Sequence, residues 1–319
     1  MKDSYGRPVR SLRISVTSTC NLDCVYCHQE GIEKSRKEMT PEEIERIVKI
    51  VAKHGVKKVK ITGGEPLIRK DIVEIVEKIS SIEGIKEVSM TTNATILGKK
   101  VVDLKEAGLK RVNVSLDTLD SETFSKLTNG GSIDTVVEGI KSAVEAGLNP
   151  VKLNMVVMKG INRDKIKDMI KFASDNNCIL QLIGLMETEF SNEFYKEYAC
   201  DLHKIVEELE EEAIDVLVRK FMQGRTRYVL EEGIVEAVFP MHNTEFCSNC
   251  TRIRVTADGQ FKPCLMRNDN YVDFIQAMRN GATDAELDEM FVKAVNKREP
   301  YFKKMDVPQS SESAENPSI

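Results

Sequence analysis

No stretch of this sequence approaches the ~20 consecutive apolar residues that a bilayer span requires, and its first residues, Met1-Lys-Asp-Ser-Tyr-Gly-Arg-Pro, lack the apolar core of a secretion signal. It also lacks a basic excess. With 46 Lys and Arg against 51 Asp and Glu, the net charge is -5. That balance excludes a general electrostatic footprint for nucleic acid or anionic membrane, so any anion must be met by a local basic cluster. The expectation is a soluble, cytoplasmic chain with neither a membrane nor a nucleic-acid partner. In a reducing compartment, eight cysteines favour metal or redox chemistry over disulfide staples. Cys178 and Cys200 stand alone and read as ordinary partly buried residues; the other six fall into two tight groups. At 319 residues the chain can bury a large core, as one domain or one domain with an appendix.

A cassette recurs through the first half, in which an amphipathic helical stretch ends at a Gly (55, 84, 108 and 147) and an apolar, β-branched strand follows. Gly suits the left-handed position that closes a helix. Thr40 before Pro41-Glu-Glu43 reads as a capped helix start, with Ile44, Ile47, Val48 and Val51 at helical spacing. Further helices fit at 71–80, 99–107, 133–146 and 165–176, and strands at 12–16, 59–62, 88–92, 112–116, 152–157 and 180–185. Alternation of six strands with helices predicts an α/β fold with a parallel sheet, open or curled toward a barrel. Functional residues then belong at the C-terminal ends of the strands. Those ends carry Thr17 to Cys27, Thr62-Gly63-Gly64-Glu65-Pro66, Thr91-Thr92-Asn93, Ser115-Leu-Asp117 and Met186.

After Met186 the repeat stops. The expected division is 1–186 for the αβ repeat, 187–306 for a connector and a smaller module, and 307–319 for a disordered tail. The acidic stretch from Glu187 to Glu212 reads as a solvated, mostly helical connector. Short strands follow near 216–221, 227–230 and 235–239, then Cys247-Ser-Asn-Cys250-Thr-Arg-Ile-Arg254, a hairpin turn at Ala257-Asp-Gly-Gln260, and Cys264.

Cys20, Cys24 and Cys27 read as soft metal ligands, and three rather than four thiols leave one position to another ligand or open for chemistry. A structural zinc knuckle is the plain alternative. Cys247, Cys250 and Cys264 again lack a fourth partner and fit zinc as readily as a cluster. Arg252 and Arg254 share one side of a strand by its period of two and suit a phosphate clamp, against the alternative of surface salt bridges.

The Cys-x3-Cys-x2-Cys spacing, with Tyr26 before the last cysteine and Gly63-Gly64-Glu65-Pro66 after the second strand, resembles the radical S-adenosylmethionine enzymes. Both triplets together with Thr251-Arg252-Ile253-Arg254, over a span from Gly6 to about Phe302, resemble the GTP 3′,8-cyclases of molybdenum cofactor biosynthesis. The resemblance implies an incomplete (β/α)6 TIM-like barrel with a C-terminal auxiliary Fe–S cluster domain. It implies two [4Fe-4S] clusters, on Cys20, Cys24 and Cys27 and on Cys247, Cys250 and Cys264. S-adenosylmethionine would lie against Tyr26, Gly64, Ser115 and Met186, with the Glu65 carboxylate offered to its ammonium group. GTP would lie against Arg13, Lys58, Thr91, Lys152 and Arg252, Ile253 and Arg254. The implied reaction abstracts hydrogen from the ribose C3′, joins that carbon to guanine C8, and yields (8S)-3′,8-cyclo-7,8-dihydroguanosine 5′-triphosphate. A reduced electron donor, hand-over to cyclic pyranopterin monophosphate synthase and a homodimer are the implied partners. Three features depart from the family pattern: Gln181 and Lys60 stand where arginines are usual, and a C-terminal Gly-Gly is absent from Asn316-Pro-Ser-Ile319. Two other expectations stand beside this one, a radical enzyme of the same build that modifies a peptide and a non-catalytic zinc-binding module.

Overall fold

The computed structural model describes residues 1–29, 37–187, 192–219 and 224–303. The 307–319 tail and its Asn316–Ile319 terminus lie outside the described residues. Five strand–helix units and a sixth strand run first: β1 Ser11–Ser15, α1 Pro41–Lys53, β2 Lys58–Thr62, α2 Ile72–Ser80, β3 Glu87–Thr92, α3 Val101–Glu106, β4 Leu109–Ser115, α4 Ser121–Thr128, α5 Ile133–Glu145, β5 Lys152–Val157, α6 Ile166–Asp175 and β6 Ile179–Gly184. Each helix follows local chemistry. Thr40 and Glu43 close a reciprocal capping box over α1, whose Ile44, Ile47, Val48 and Val51 are buried. All four cassette glycines have positive φ, from 71 to 105°. Helix α4 was not expected, because its Ser, Thr and Lys content hides an apolar face of two large residues, Phe124 and Leu127; Asp120 caps it by accepting from the Thr123 amide.

The remaining elements are α7 Asn192–Tyr198, α8 Leu202–Glu212, β7 Asp215–Arg219, β8 Arg225–Leu230, β9 Gly233–Val238, α9 Thr244–Ser248, β10 Arg252–Val255, β11 Gln260–Lys262, β12 Val272–Asp273, α10 Phe274–Arg279 and α11 Asp284–Asn296. The acidic connector is not wholly solvated, since α8 buries Leu202, Ile205, Val206 and Leu209. No helix among the described residues is long and apolar enough to cross a membrane.

The described strands form one sheet in the order β12-β11-β10-β1-β2-β3-β4-β5-β6-β9-β8-β7. Strands β1 to β6 are parallel and adjacent in sequence order, as their helical crossovers dictate. At either end the later part of the chain continues the sheet: β10 pairs parallel with β1, and β9 parallel with β6. The ranges 1–186 and 187–306 thus share a single sheet. Val59, Ile61, Val112, Val114, Leu180 and Leu182 are buried on its helix-facing side. The alternate positions on the same strands, Lys60, Arg111, Asn113 and Gln181, are polar and line a common cavity. Because residues of β2, β8 and β10 line that one space, the sheet is curled around it.

Candidate active site

The cavity measures about 1940 Å³, roomier than the roughly 300–1,000 Å³ typical of a site for one small ligand. Both cysteine triplets line it. The first lies in the loop after β1, which is pinned on two sides. The amides of Gly64 and Glu65 donate to the carbonyls of Thr17 and Thr19 at 2.9 Å each, and the amides of Asp23 and Val25 donate to the carbonyls of Thr128 and Leu127 at the end of α4. A Cβ on Gly64 would fall 2.1 Å from the Thr19 carbonyl oxygen, so only glycine allows this approach. The Leu22 amide points at Cys20 Sγ, 3.4 Å away. Burial, then Asp117 and the neighbouring thiols, pushes Cys24 up to about 12. Three thiolates that raise one another in this way suit a strongly cationic inorganic core.

Glu65 is 1% exposed and already engaged: one carboxylate oxygen accepts from the Leu67 amide and the Thr92 hydroxyl, the other from the Asn93 amide. It braces the loop while still lining the cavity, with Oε2 accepting a single bond. Burial, opposed by these hydrogen bonds, raises it to about 6. Tyr26 donates its hydroxyl to Asp117, whose other oxygen accepts from the Val156 amide at 2.8 Å. Tyr26, Gly64, Ser115 and Met186 all line the cavity.

The second triplet is buttressed from both chain ends. Arg7 Nη1 donates to the Cys247 carbonyl at 2.9 Å, Arg298 Nη2 to that of Cys250 at 2.5 Å, and Asp3 pairs with both arginines. Nothing in the spacing of Arg7 or Arg298 signalled this role, which depends on contacts across 240 residues from Arg7 to Cys247 and 48 from Arg298 to Cys250. Although burial opposes it, Arg252, Arg298 and Arg254 hold Cys250 below the ordinary thiol range, which suits a metal-bound thiolate. Among the described residues no group of three or more His, Cys, Asp or Glu is gathered as ligands of a single metal ion. The donor sets, three thiols each at a shared cavity, fit [4Fe-4S] clusters with one iron left to another ligand.

Arg13, Thr91, Arg252 and Arg254 line the same space. Arg13 sits in register between Lys60 of β2 and Arg254 of β10. One expected contact is corrected, and two others already have partners. Ile253 is 0% exposed in the hydrophobic core, because the strand period that sends Arg252 and Arg254 into the cavity turns it the other way. Lys58, at the start of β2, also lines the cavity, at its rim, with a side chain 58% exposed and paired with Glu87 at 3.2 Å; deeper on that strand lies Lys60, whose Nζ donates to Asn113 Oδ1 at 2.8 Å. Lys152 does line the cavity, but its ammonium is paired with Glu236.

Glu236 was not legible as a site residue. It is 0% exposed and gathers four cations: Lys152, Arg219 and Arg227 at 2.9 and 2.8 Å, and Arg225 at 3.6 Å. Burial is outweighed by these cations, and its carboxyl is held at about 2. Burial pulls Lys152 down to about 8 despite that partner. The asymmetry is physical: Glu236 has four cations, whereas Lys152 has a quarter share of one anion. At Gln181, a guanidinium arrives from another strand, since Arg225 Nη1 donates to Gln181 Oε1 at 2.5 Å.

Residues 14–173 match the Radical SAM superfamily and residues 178–304 match Molybdenum Cofactor Synthesis C. A probable GTP 3′,8-cyclase of Methanothermobacter marburgensis is 49% identical over 94% of this chain and 98% of its own length. That of Pyrococcus horikoshii is 48% identical over 94% and 97%, and that of Methanocaldococcus jannaschii 47% over 95% and 99%. Among solved structures, Streptococcus suis SuiB shares the fold with a TM-score of 0.63 at 20% identity, over 93% of this chain and 67% of SuiB.

Proposed function

This chain belongs to the GTP 3′,8-cyclase family of radical S-adenosylmethionine enzymes, and from that premise we propose that it cyclises GTP in one cavity between two Fe–S sites to (8S)-3′,8-cyclo-7,8-dihydroguanosine 5′-triphosphate. The observation that carries the reading is that both cysteine triplets and a cluster of deep cations, Arg13, Lys60, Arg252 and Arg254, open into the same space. When bound at Cys20, Cys24 and Cys27, a [4Fe-4S] cluster with S-adenosylmethionine supplies a 5′-deoxyadenosyl radical able to take a hydrogen atom from the ribose.

The chain's own residues do the remaining work by holding and enclosing. Gly64 lets the loop backbone close on the cysteine segment, while Tyr26, Ser115 and Met186 line the place for the methionine and adenosine portions. Cys247, Cys250 and Cys264 would hold a second [4Fe-4S] cluster, which would supply an iron with an open ligand position to the same cavity. Arg252 and Arg254, on one face of β10, would grip the triphosphate together with Arg13, in register beside Arg254, and Thr91. A fixed ribose and base make ring closure intramolecular, and the curled wall keeps water and competing hydrogen donors from the substrate radical. A reduced electron donor and transfer of the product to cyclic pyranopterin monophosphate synthase complete the reading.

Anaerobic reconstitution followed by reaction with S-adenosylmethionine, a reductant and GTP tests it. The expected result is 5′-deoxyadenosine formed in step with GTP loss and with an isomer of GTP as product. Formation of 5′-deoxyadenosine that ignores GTP, with GTP recovered intact, would overturn the cyclase reading.

A further inference from the structure

The cation cluster of β5, β7 and β8 around Glu236 of β9 has more positive charge than that carboxylate can neutralise. Glu236 stands against Lys152, Arg219, Arg225 and Arg227, and these four do not share it equally. Lys152 takes Oε2, and Arg227 places both Nε and Nη2 on Oε1 at 3.1 and 2.8 Å. Arg219, a third exposed, adds a further bond to Oε1. Arg225 is left over. It stays 3.6 Å from the carboxylate, its side chain is only 9% exposed, and its buried Nε has no hydrogen-bond partner among the described residues. An orphaned guanidinium nitrogen in a cavity is costly unless something occupies it.

Its direction says what that is. Arg225 lines the cavity and ends a floor of amides: Arg225 donates to Gln181 Oε1, Gln181 Nε2 and Asn113 Nδ2 both donate to Asn154 Oδ1, and Lys60 donates to Asn113 Oδ1. The floor is therefore capped by a cation at each end. Arg225 also adds to the depression of both Lys60 and Arg252, which stand on β2 and β10, so its charge is felt across the cavity. A polyanion lying between these groups relieves all of them at once.

Building on the GTP reading above, we propose that Arg225, delivered from the β7–β8 hairpin, is a direct ligand of the substrate's triphosphate, with Glu236 as the positioning residue that keeps its neighbours Lys152 and Arg227 from crowding the same anion. The hairpin thus forms a second cationic wall facing Arg252 and Arg254.

The test is equilibrium binding to the reconstituted full chain of GTP, GDP, GMP and guanosine, with inorganic tripolyphosphate as a probe without a base. Arg225→Gln should weaken GTP about tenfold or more, as expected for loss of a charge-assisted bond, with a smaller loss for GMP, none for guanosine and unchanged iron content. Arg225→Lys, which retains the charge, should recover part of the loss and provides the reading if the Gln variant fails to fold. Unaltered GTP affinity in Arg225→Gln, or full wild-type affinity in Arg225→Lys when the Gln variant cannot be made, overturns the assignment. So does an equal loss for GTP and guanosine, which would mean a general change of cavity shape. Tripolyphosphate separates this inference from the cyclase reading. Wild-type chain that binds tripolyphosphate in an Arg225-dependent way but does not bind GTP would sink the guanine nucleotide and keep the anion wall, and failure to bind either would sink both.

Discussion

Replacing Glu236 by Gln keeps the shape of the side chain while removing the one anion shared by Lys152, Arg219, Arg225 and Arg227. The carboxyl sits at about 2, down from 4.5, and is completely buried. At about 1.4 kcal/mol per unit of pKa, that depression corresponds to roughly 3 kcal/mol of folded-state preference for the ionised form, similar to the ~3–5 kcal/mol cost of breaking a buried ion pair by removing one partner. The sign follows from the depression: the contribution is fully present above about pH 4.5 and is lost as pH falls through about 2. The Gln variant lacks it at every pH, so the gap between the two proteins is greatest near neutrality and closes in acid. Thermal melting of reconstituted protein at neutral pH should show a loss of roughly 5–10 °C. Saturating GTP should restore more of that loss in the variant than it adds to the wild type, because the variant cavity carries one more uncompensated positive charge. A melting temperature within a degree or two of wild type would refute the idea that this carboxylate holds the cation cluster together.

Replacing Cys247, Cys250 and Cys264 together by Ser should lower iron from about eight to about four atoms per chain on anaerobic reconstitution; iron staying near eight would dissociate this triplet from the second cluster. Arg252→Ala should weaken GTP binding about tenfold or more, without changing iron content, as measured by equilibrium dialysis; equal affinity would remove Arg252 from the triphosphate wall. Ile253→Ala should behave oppositely, costing about 2–5 kcal/mol of stability by opening a cavity in the core while the folded protein keeps its GTP affinity, which urea titration and binding measured side by side will check.

The helices, the parallel strands and the rim of functional loops were legible because their determinants are local: caps such as Thr40 with Glu43, the four cassette glycines and runs of β-branched residues. The cysteine triplets stood out because their members are close in sequence; that both open into one cavity is a product of the fold. Contacts made by non-sequential pairing were not. Glu236 lies within Gly233-Ile-Val-Glu-Ala-Val238 and, taken locally, is one polar residue in an apolar strand; only the pairing of β9 with β6 on one side and β8 on the other brings Gln181 and Arg227 into register with it. Arg7 and Arg298 were hidden for the same reason. Ile253 illustrates the converse error, since adjacency to Arg252 and Arg254 in sequence placed it at the site, whereas the pleat puts it in the core. Lys58 and Lys60 lie on one face of β2 and both line the cavity, but their different depths, set by the neighbouring strands, are not written in the alternation.

The parallel ladder between β1 and β10 has a mechanical meaning. Leu12 stands opposite Ile253 and Arg13 opposite Arg254, so the segment leading into Cys20 and the segment leading out of Cys250 are bolted side by side by backbone hydrogen bonds. The gap between the two cysteine loops is consequently metered by strand register, in steps of ~3.3 Å per residue, and not by the long stretch of chain that connects them. Residues could be added to or removed from the connector without changing that gap. A slip of one place between these two strands would change it and would also turn both arginines out of the cavity.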